Sequence, residues 1–369
     1  MRIARVPKRK ESRYNAHTMT DENPTNIDKA VVSPIEPVEI TAVAPTPLLL
    51  LPAGTPLRRS LQHLTMIAAL VLMFFASAGL TMAYFSTSLP TATRAQAASA
   101  ATAVEDPFAD ISIKGQAAFI IDLTNNHVLY SKNPDLRLPL ASLAKVALVL
   151  AVSEVLEPDT QVVIPTHATP DGAPIRLPAG LRFSAQDLID FTLVASSNEG
   201  ADILSAAAEE GMQTKYQRAT GEAVLWRMNA IAGNLGLTNT VFLNTNGLDV
   251  NDTQAGAYGS AHDVALLFGY AALNSGAFGQ TSRDSIKIRA STGESVTAVN
   301  TDEALPAIPG TLMGKTGSTQ LAGGNLAVVF DIGPAHPVVA VVLHSTSEGR
   351  FSDMKKLVAG TIASVRGGE

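Results

Sequence analysis

Residues 142–157 read SLAKVALVLAVSEVLE. One lysine, Lys145, stands in a run of Leu, Val and Ala that meets no further charge before Glu154. The run is helix-compatible over Ser142–Glu157 and ends before Pro158. A helix that is apolar on every side belongs at the centre of a domain. A lysine there loses proton affinity, because burial disfavours its charged form. Ser142 lies three positions before Lys145, so both fall on one helix face. A serine hydroxyl is a poor nucleophile until a base stands beside it, and a neutral lysine is such a base. The plainer account, an N-cap serine with a solvated lysine, is the commoner fate of this spacing, but a spectator charge inside an apolar helix is costly.

Ala117–Leu123 and His127–Ser131 flank Asn125-Asn126 and predict a β-hairpin. Ala185–Glu210 and Ala223–Leu235 predict helices, the second stopping at Gly236. Asn246-Gly247 marks a turn within Asn244–Leu248. Ser260, three residues before Asp263, is a cap-like start for a helix over Val264–Leu273. That cap accounts for His262-Asp263 better than a catalytic pair does. Trp226 and Met228 read as core residues of their helix. Leu312–Ser318, Asn325–Ile332 and Val338–Ser345 predict three strands, the last two joined through Gly333-Pro334. Phe351, Met354, Leu357, Val358, Ile362 and Val365 form one stripe at helical spacing. Hairpin, helices, strands, helix is not an alternating βαβ order. It predicts an α+β fold with an antiparallel sheet and a helical part.

Two further short motifs follow Ser142-Leu143-Ala144-Lys145. Ser196-Ser197-Asn198 ends an apolar helical run, and Lys315-Thr316-Gly317 sits on a predicted strand after Gly314. Ser196 is placed to relay a proton to a leaving amine. Asn198 offers its amide to a substrate peptide. Lys315 offers a cation to a substrate carboxylate, with the Thr316 hydroxyl beside it. Read singly, the second motif is a polar helix–helix loop and the third an edge strand guarded by a lysine. The order and spacing of all three match the signature of serine enzymes that acylate on β-lactams.

From Gln116 to Thr346 the chain resembles the serine-type D-Ala-D-Ala carboxypeptidases, the low-molecular-mass penicillin-binding proteins of the peptidase S11-like kind. Four stretches carry the likeness: IDLTNNHVLYSKNPDLRLPLASLAK, LPAGLRFSAQDLIDFTLVASSNEGADILS, MNAIAGNLGLTNTVFLNTNGL and KTGSTQLAGGNLAVV. The resemblance implies a five-stranded antiparallel sheet flanked by helices, a helical subdomain, and a site between them, the β-lactamase/transpeptidase-like fold. It implies Ser142 as the acylated nucleophile, Lys145 as its base, and Ser196 and Asn198 lining the cleft. Lys315 and Thr316 would hold the terminal carboxylate, with Gly317 and Ser318 also on the substrate-binding strand. The backbone N–H groups of Ser142 and Ser318 would form the oxyanion hole. Peptidoglycan stem peptides would be substrates and β-lactams inhibitors, with no cofactor and no metal. Ala144 stands where the family usually has Thr, Ser197 and Glu199 stand in its second motif, and Ser318 follows the third. The family's C-terminal β-domain and terminal amphipathic anchor find no counterpart here, and an N-terminal helix would take over membrane attachment.

That helix is Leu64–Phe85, a run of 22 residues without a charge. The length suffices to cross a bilayer. Arg58 and Arg59 precede it and the next basic residue is Arg94, which predicts a cytoplasmic N-terminus and an extracytoplasmic domain. Cleavage after Ala95-Gln96-Ala97 is the competing reading. The expected organisation is a disordered cytoplasmic tail over 1–60, a signal anchor over 61–85, a Ser/Thr/Ala-rich linker over 86–105 and the penicillin-binding domain over 106–369. The tail before Arg59 holds eight of the 21 prolines. The chain carries 27 basic and 33 acidic side chains, and the acidic excess lies in the exported part, which argues against nucleic acid as partner. With no cysteine there is no thiolate nucleophile, disulfide or thiolate metal site.

Three rivals to carboxypeptidase activity follow from the residues. A β-lactamase would need a group that activates water for deacylation, and Glu222 begins only E-x-x-L-W. An endopeptidase on D-Ala crosslinks would use the same side chains. A membrane-tethered, non-catalytic peptidoglycan-binding module would have no use for an intact Ser142 and Lys145.

Overall fold

In the computed structural model the described residues are 106–166 and 176–366. The expected tail, membrane-spanning run and linker, residues 1–105, lie outside them.

The hairpin forms as β1 (Ala117–Asp122) and β2 (Val128–Lys132), with Asn126 in the left-handed region at φ 59°. β3 (Leu138–Pro139) leads into a 3-10 turn, Ala141–Ala144, and helix α1 (Lys145–Val152). The continuous helix expected over Ser142–Glu157 is therefore shorter: Ser142 sits in the 3-10 turn. β4 (Gln161–Val163) pairs with β5 (Arg182–Ser184). Helix α2 (Ala185–Val194) starts on the Ser184 cap. The single helix expected over Ala185–Glu210 is broken. Ser196 adopts φ 53°, and Ser197 caps a new helix, α3 (Asn198–Lys215), by accepting from Gly200 N. A left-handed residue cannot continue a right-handed helix, and the break turns the Ser196 hydroxyl out of the helical register.

Helix α4 (Ala223–Asn234) ends before Gly236 at φ 72°. β6 (Val241–Phe242) and β7 (Ala257–Gly259) join β3 in a small sheet. Helix α5 (Ala261–Asn274) is capped by Ser260 accepting from Asp263 N, as the spacing predicts. A second hairpin, β8 (Ser285–Arg289) and β9 (Ser295–Val299), was not anticipated from sequence. β10 (Thr311–Thr319), β11 (Gly323–Asp331), β12 (Pro337–Ser345) and helix α6 (Gly349–Arg366) complete the domain.

The main sheet has five antiparallel strands in the order β10-β11-β12-β1-β2. Its central strands are buried on both faces, and alternate residues serve different cores. Val338, Ala340 and Val342 join Phe351, Met354, Leu357 and Val358 of α6. Val339, Val341 and Leu343 join the core that holds α5 and the helical part. Met228 is part of that second core, while Trp226 stacks obliquely on Tyr216. The fold is α+β, with an antiparallel sheet between helices.

Candidate active site

Lys145 is wholly buried at the start of α1. Its Nζ lies 2.9 Å from Ser142 Oγ, 2.8 Å from Asn198 Oδ1 and 2.5 Å from the Asn246 carbonyl. Burial pushes its pKa from 10.5 down to about 7, against the pull of the Asp202 carboxylate. Three partners suit both protonation states. An ammonium donates to all three. A neutral amine donates to Asn198 and Asn246 and keeps its lone pair for the Ser142 hydroxyl proton.

The turn that carries Ser142 is held from several sides. Ala141 adopts φ 51°, a strained setting for a residue with a Cβ. Asn325, fully buried on β11, donates to the carbonyls of Pro139 (2.9 Å) and Leu140 (3.0 Å). It accepts from His344 N at 2.8 Å, where a bulge in β12 puts His344 at φ 52°. Gly317 packs so closely that a Cβ there would stand 2.7 Å from Leu140 O and 3.3 Å from Ser142 N. Gly247, at φ 83°, would place a Cβ 2.1 Å from Ala141 O. Its neighbour Asn246 is fixed by donating to Asp202 at 2.9 Å and accepting from Leu248 N.

Lys315 is 2 % exposed, so the edge-guard account of this lysine does not hold. Its Nζ donates to Ser196 Oγ at 2.6 Å and to Thr316 O at 2.9 Å. Its pKa is lowered well below the usual lysine value by burial, then by the positive charges of Lys145 and Arg350. Thr316 Oγ1 shares a 2.5 Å hydrogen bond with Thr301 Oγ1. Arg350, at the start of α6, donates to Gly317 O at 2.9 Å. Ser318 is exposed at the end of β10.

The structure thus joins Ser142, Lys145 and Asn198 in one hydrogen-bonded group and Ser196 and Lys315 in another. Gly317 abuts the Ser142 turn. Glu199 points elsewhere, accepting from the backbone of Arg176 and Leu177. Glu222 is exposed at the N-terminus of α4. Among the described residues no cluster of His, Cys, Asp and Glu is arranged to hold a metal. Asn246, Thr301, Asn325 and Arg350 escaped the sequence reading. Only Asn246 had a local signal, its turn.

A profile of the D-alanyl-D-alanine carboxypeptidase family matches residues 100–347. The chain belongs to that family. It is 29% identical over 236 residues to the D-alanyl-D-alanine carboxypeptidase DacB2 of Mycobacterium tuberculosis, covering 63% of this chain and 76% of the relative. It is 27% identical over 259 residues to the D-alanyl-D-alanine carboxypeptidase DacF of Bacillus subtilis, covering 68% and 62% respectively. The crystal structure of a D-alanyl-D-alanine carboxypeptidase from M. tuberculosis superposes with a TM-score of 0.59 at 25% identity, over 70% of this chain and 96% of that one. Cefotaxime-bound penicillin-binding protein D2 of Listeria monocytogenes shares the fold at a TM-score of 0.56 and 24% identity, over 68% and 99%.

Proposed function

We propose that this family member is a membrane-anchored serine D-Ala-D-Ala carboxypeptidase that removes the terminal D-Ala of peptidoglycan stem peptides through a Ser142 acyl-enzyme. One observation carries the reading: a fully buried lysine with a pKa near 7 lies 2.9 Å from a serine hydroxyl.

In the acylation step the Ser142 Oγ–H proton moves to neutral Lys145 as Oγ attacks the carbonyl of the penultimate D-Ala. The N–H groups of Ser142 and Ser318 receive the developing oxyanion. Collapse of the tetrahedral intermediate breaks the peptide bond. Ser196, bonded to Lys315, hands its proton to the departing D-Ala amine and takes back the one that Lys145 received from Ser142, which leaves Lys145 neutral again. Asn198 holds Lys145 and the substrate amide. Water then attacks the Ser142 ester as neutral Lys145 takes its proton; the bond to Oγ breaks, Lys145 passes that proton to Ser142 Oγ, and the shortened peptide leaves with a new carboxyl group, returning the free enzyme. The terminal carboxylate of the substrate recharges Lys315 as it arrives, and Thr316 with its partner Thr301 offers hydroxyls beside it. β-Lactams would acylate the same serine. Similarity to the D-alanyl-D-alanine endopeptidase of Escherichia coli, 30% identity over 171 residues and 49% of that protein, supports the crosslink-cleaving reading as the nearest alternative.

For attachment, the uncharged run Leu64–Phe85 with Arg58 and Arg59 on its N-terminal side supports a single-pass anchor with the catalytic domain outside. The boundaries 1–60, 61–85, 86–105 and 106–369 follow from the same reading. Protease added to spheroplasts should digest the domain and spare the tail. A mature protein that begins near Ala98 would overturn the anchor. The activity itself is tested by incubation with a peptide ending in D-Ala-D-Ala. Release of D-Ala by the native chain and not by Ser142→Ala is the expected result.

A further inference from the structure

Arg350 stands in the first turn of α6, the positive end of the helix dipole, with no acidic residue in that turn. A cation there is on the wrong end of the helix. A locally unfavourable residue held in a packed setting points to a role outside its own element. Its guanidinium is half-buried and reaches across to β10. There Nη1 donates to the carbonyl of Gly317 at 2.9 Å. Asp302, Glu303 and Glu348 attract the guanidinium, and Asp302 is only 5 % exposed.

The carbonyl it grips belongs to the same peptide unit as Ser318 N–H. That unit is trans, as are all described peptide bonds. In a planar trans peptide the C=O and N–H point in opposite directions. Fixing the carbonyl therefore fixes the direction of the N–H. A cation on the carbonyl oxygen also draws electron density through the amide, which makes the N–H a stronger donor. Gly317 itself packs against the turn that carries Ser142.

We infer that Arg350 is a positioning residue for the oxyanion hole: through the Gly317 carbonyl it orients and polarises the Ser318 N–H that stabilises the tetrahedral intermediate. This rests on the reading of Ser142 as nucleophile with Ser318 N–H as a donor. Arg350 acts during acylation and on any acyl donor. A residue that grips the substrate carboxylate would act only on ligands that carry one.

The test compares full-length protein with Arg350→Gln and Arg350→Lys, using benzylpenicillin and its methyl ester. Acylation of the native protein at Ser142, mapped by mass spectrometry, checks the underlying reading before any variant is made. Absence of that adduct removes the ground for both. For Arg350→Gln the acylation rate constant should fall by about tenfold to a hundredfold, part of the effect of losing an oxyanion donor outright. The fall should be equal for acid and ester, with the pre-covalent dissociation constant little changed. The infrared carbonyl band of the acyl-enzyme should move to higher frequency, because its carbonyl is less polarised. Arg350→Lys, which keeps charge and donor, should recover most of the rate and the band position. It also carries the test if circular dichroism finds the glutamine variant unfolded. A loss confined to the free acid, or an acyl carbonyl band identical to that of the native protein, would overturn the inference.

Discussion

Lys315 Nζ donates to Ser196 Oγ across 2.6 Å and ties together two motifs 119 positions apart in the chain. In the proposed mechanism the third-motif lysine serves two ends, the proton path through Ser196 and the charge that meets a substrate carboxylate. Two residues sharing one hydrogen bond act as a unit, so their removals do not add. Ser196→Ala and Lys315→Ala should each slow acylation, and the double variant should be little worse than the slower single one. Fully additive losses in a double-mutant cycle would break the link.

The carboxylate role makes a separate forecast. Charge-assisted hydrogen bonds are the strong ones. Lys315→Ala should therefore lower kcat/KM on a D-Ala-D-Ala peptide by more than Thr316→Ala does. The loss should be roughly tenfold to a hundredfold, from roughly 1.5–3 kcal/mol for such a bond. A substrate amidated at its C-terminus should lose less. Equal losses on both substrates would favour the endopeptidase reading.

As the proposed base, Lys145 should set the pH dependence. Its pKa of about 7 lies below the usual 10.5 because burial disfavours the charged form. In the proposed mechanism the base is the neutral amine, so acylation should be fast above that value and fall as the lysine gains a proton. Below pH 7 the rate constant should drop roughly tenfold per pH unit. Lys145→Ala should lose about 10²–10⁴-fold and the acidic limb with it. A profile flat from pH 5 to 8 would assign the base elsewhere.

Gly247 touches the turn that holds Ser142. A methyl group at this φ of 83° would meet Ala141 O at 2.1 Å, and that contact is backbone, which cannot step aside. Gly247→Ala should lower stability by about 1–3 kcal/mol through strain at a left-handed position. It should also slow penicillin labelling. Urea denaturation and labelling kinetics read the two effects separately.

Asn325 holds two carbonyls just before Ser142 and one amide of the β12 bulge. Asn325→Ala strands these buried groups, each worth about 1–3 kcal/mol when left unpaired. A loss of at least about 2 kcal/mol is expected by urea titration. A change under half that size would mean the turn is held by other contacts.

What the sequence disclosed follows the reach of local patterns. The strand Ala117–Asp122, the buried helix of Lys145 and the strands Gly323–Asp331 and Pro337–Ser345 were legible because burial on both faces leaves nearly unbroken apolar runs. The three motifs were legible by order. The break at Ser196 was not, since its left-handed backbone is imposed by packing around the site. Ser197 followed by Asn198 and Glu199 was the cap signal that could have revealed the new helix. The hairpin Ser285–Val299 had its own clue in Gly293 between alternating residues. Thr301, Asn325 and Arg350 left no clue, because each reaches the site through contacts far along the chain.

Ser142 is the residue proposed to carry the acyl group. The most direct measurement is mass-spectrometric mapping of the adduct formed when the full-length protein meets a fluorescent penicillin. A single adduct on Ser142, absent from Ser142→Ala, is the predicted result. An adduct on Ser196, or labelling that survives Ser142→Ala, would contradict it.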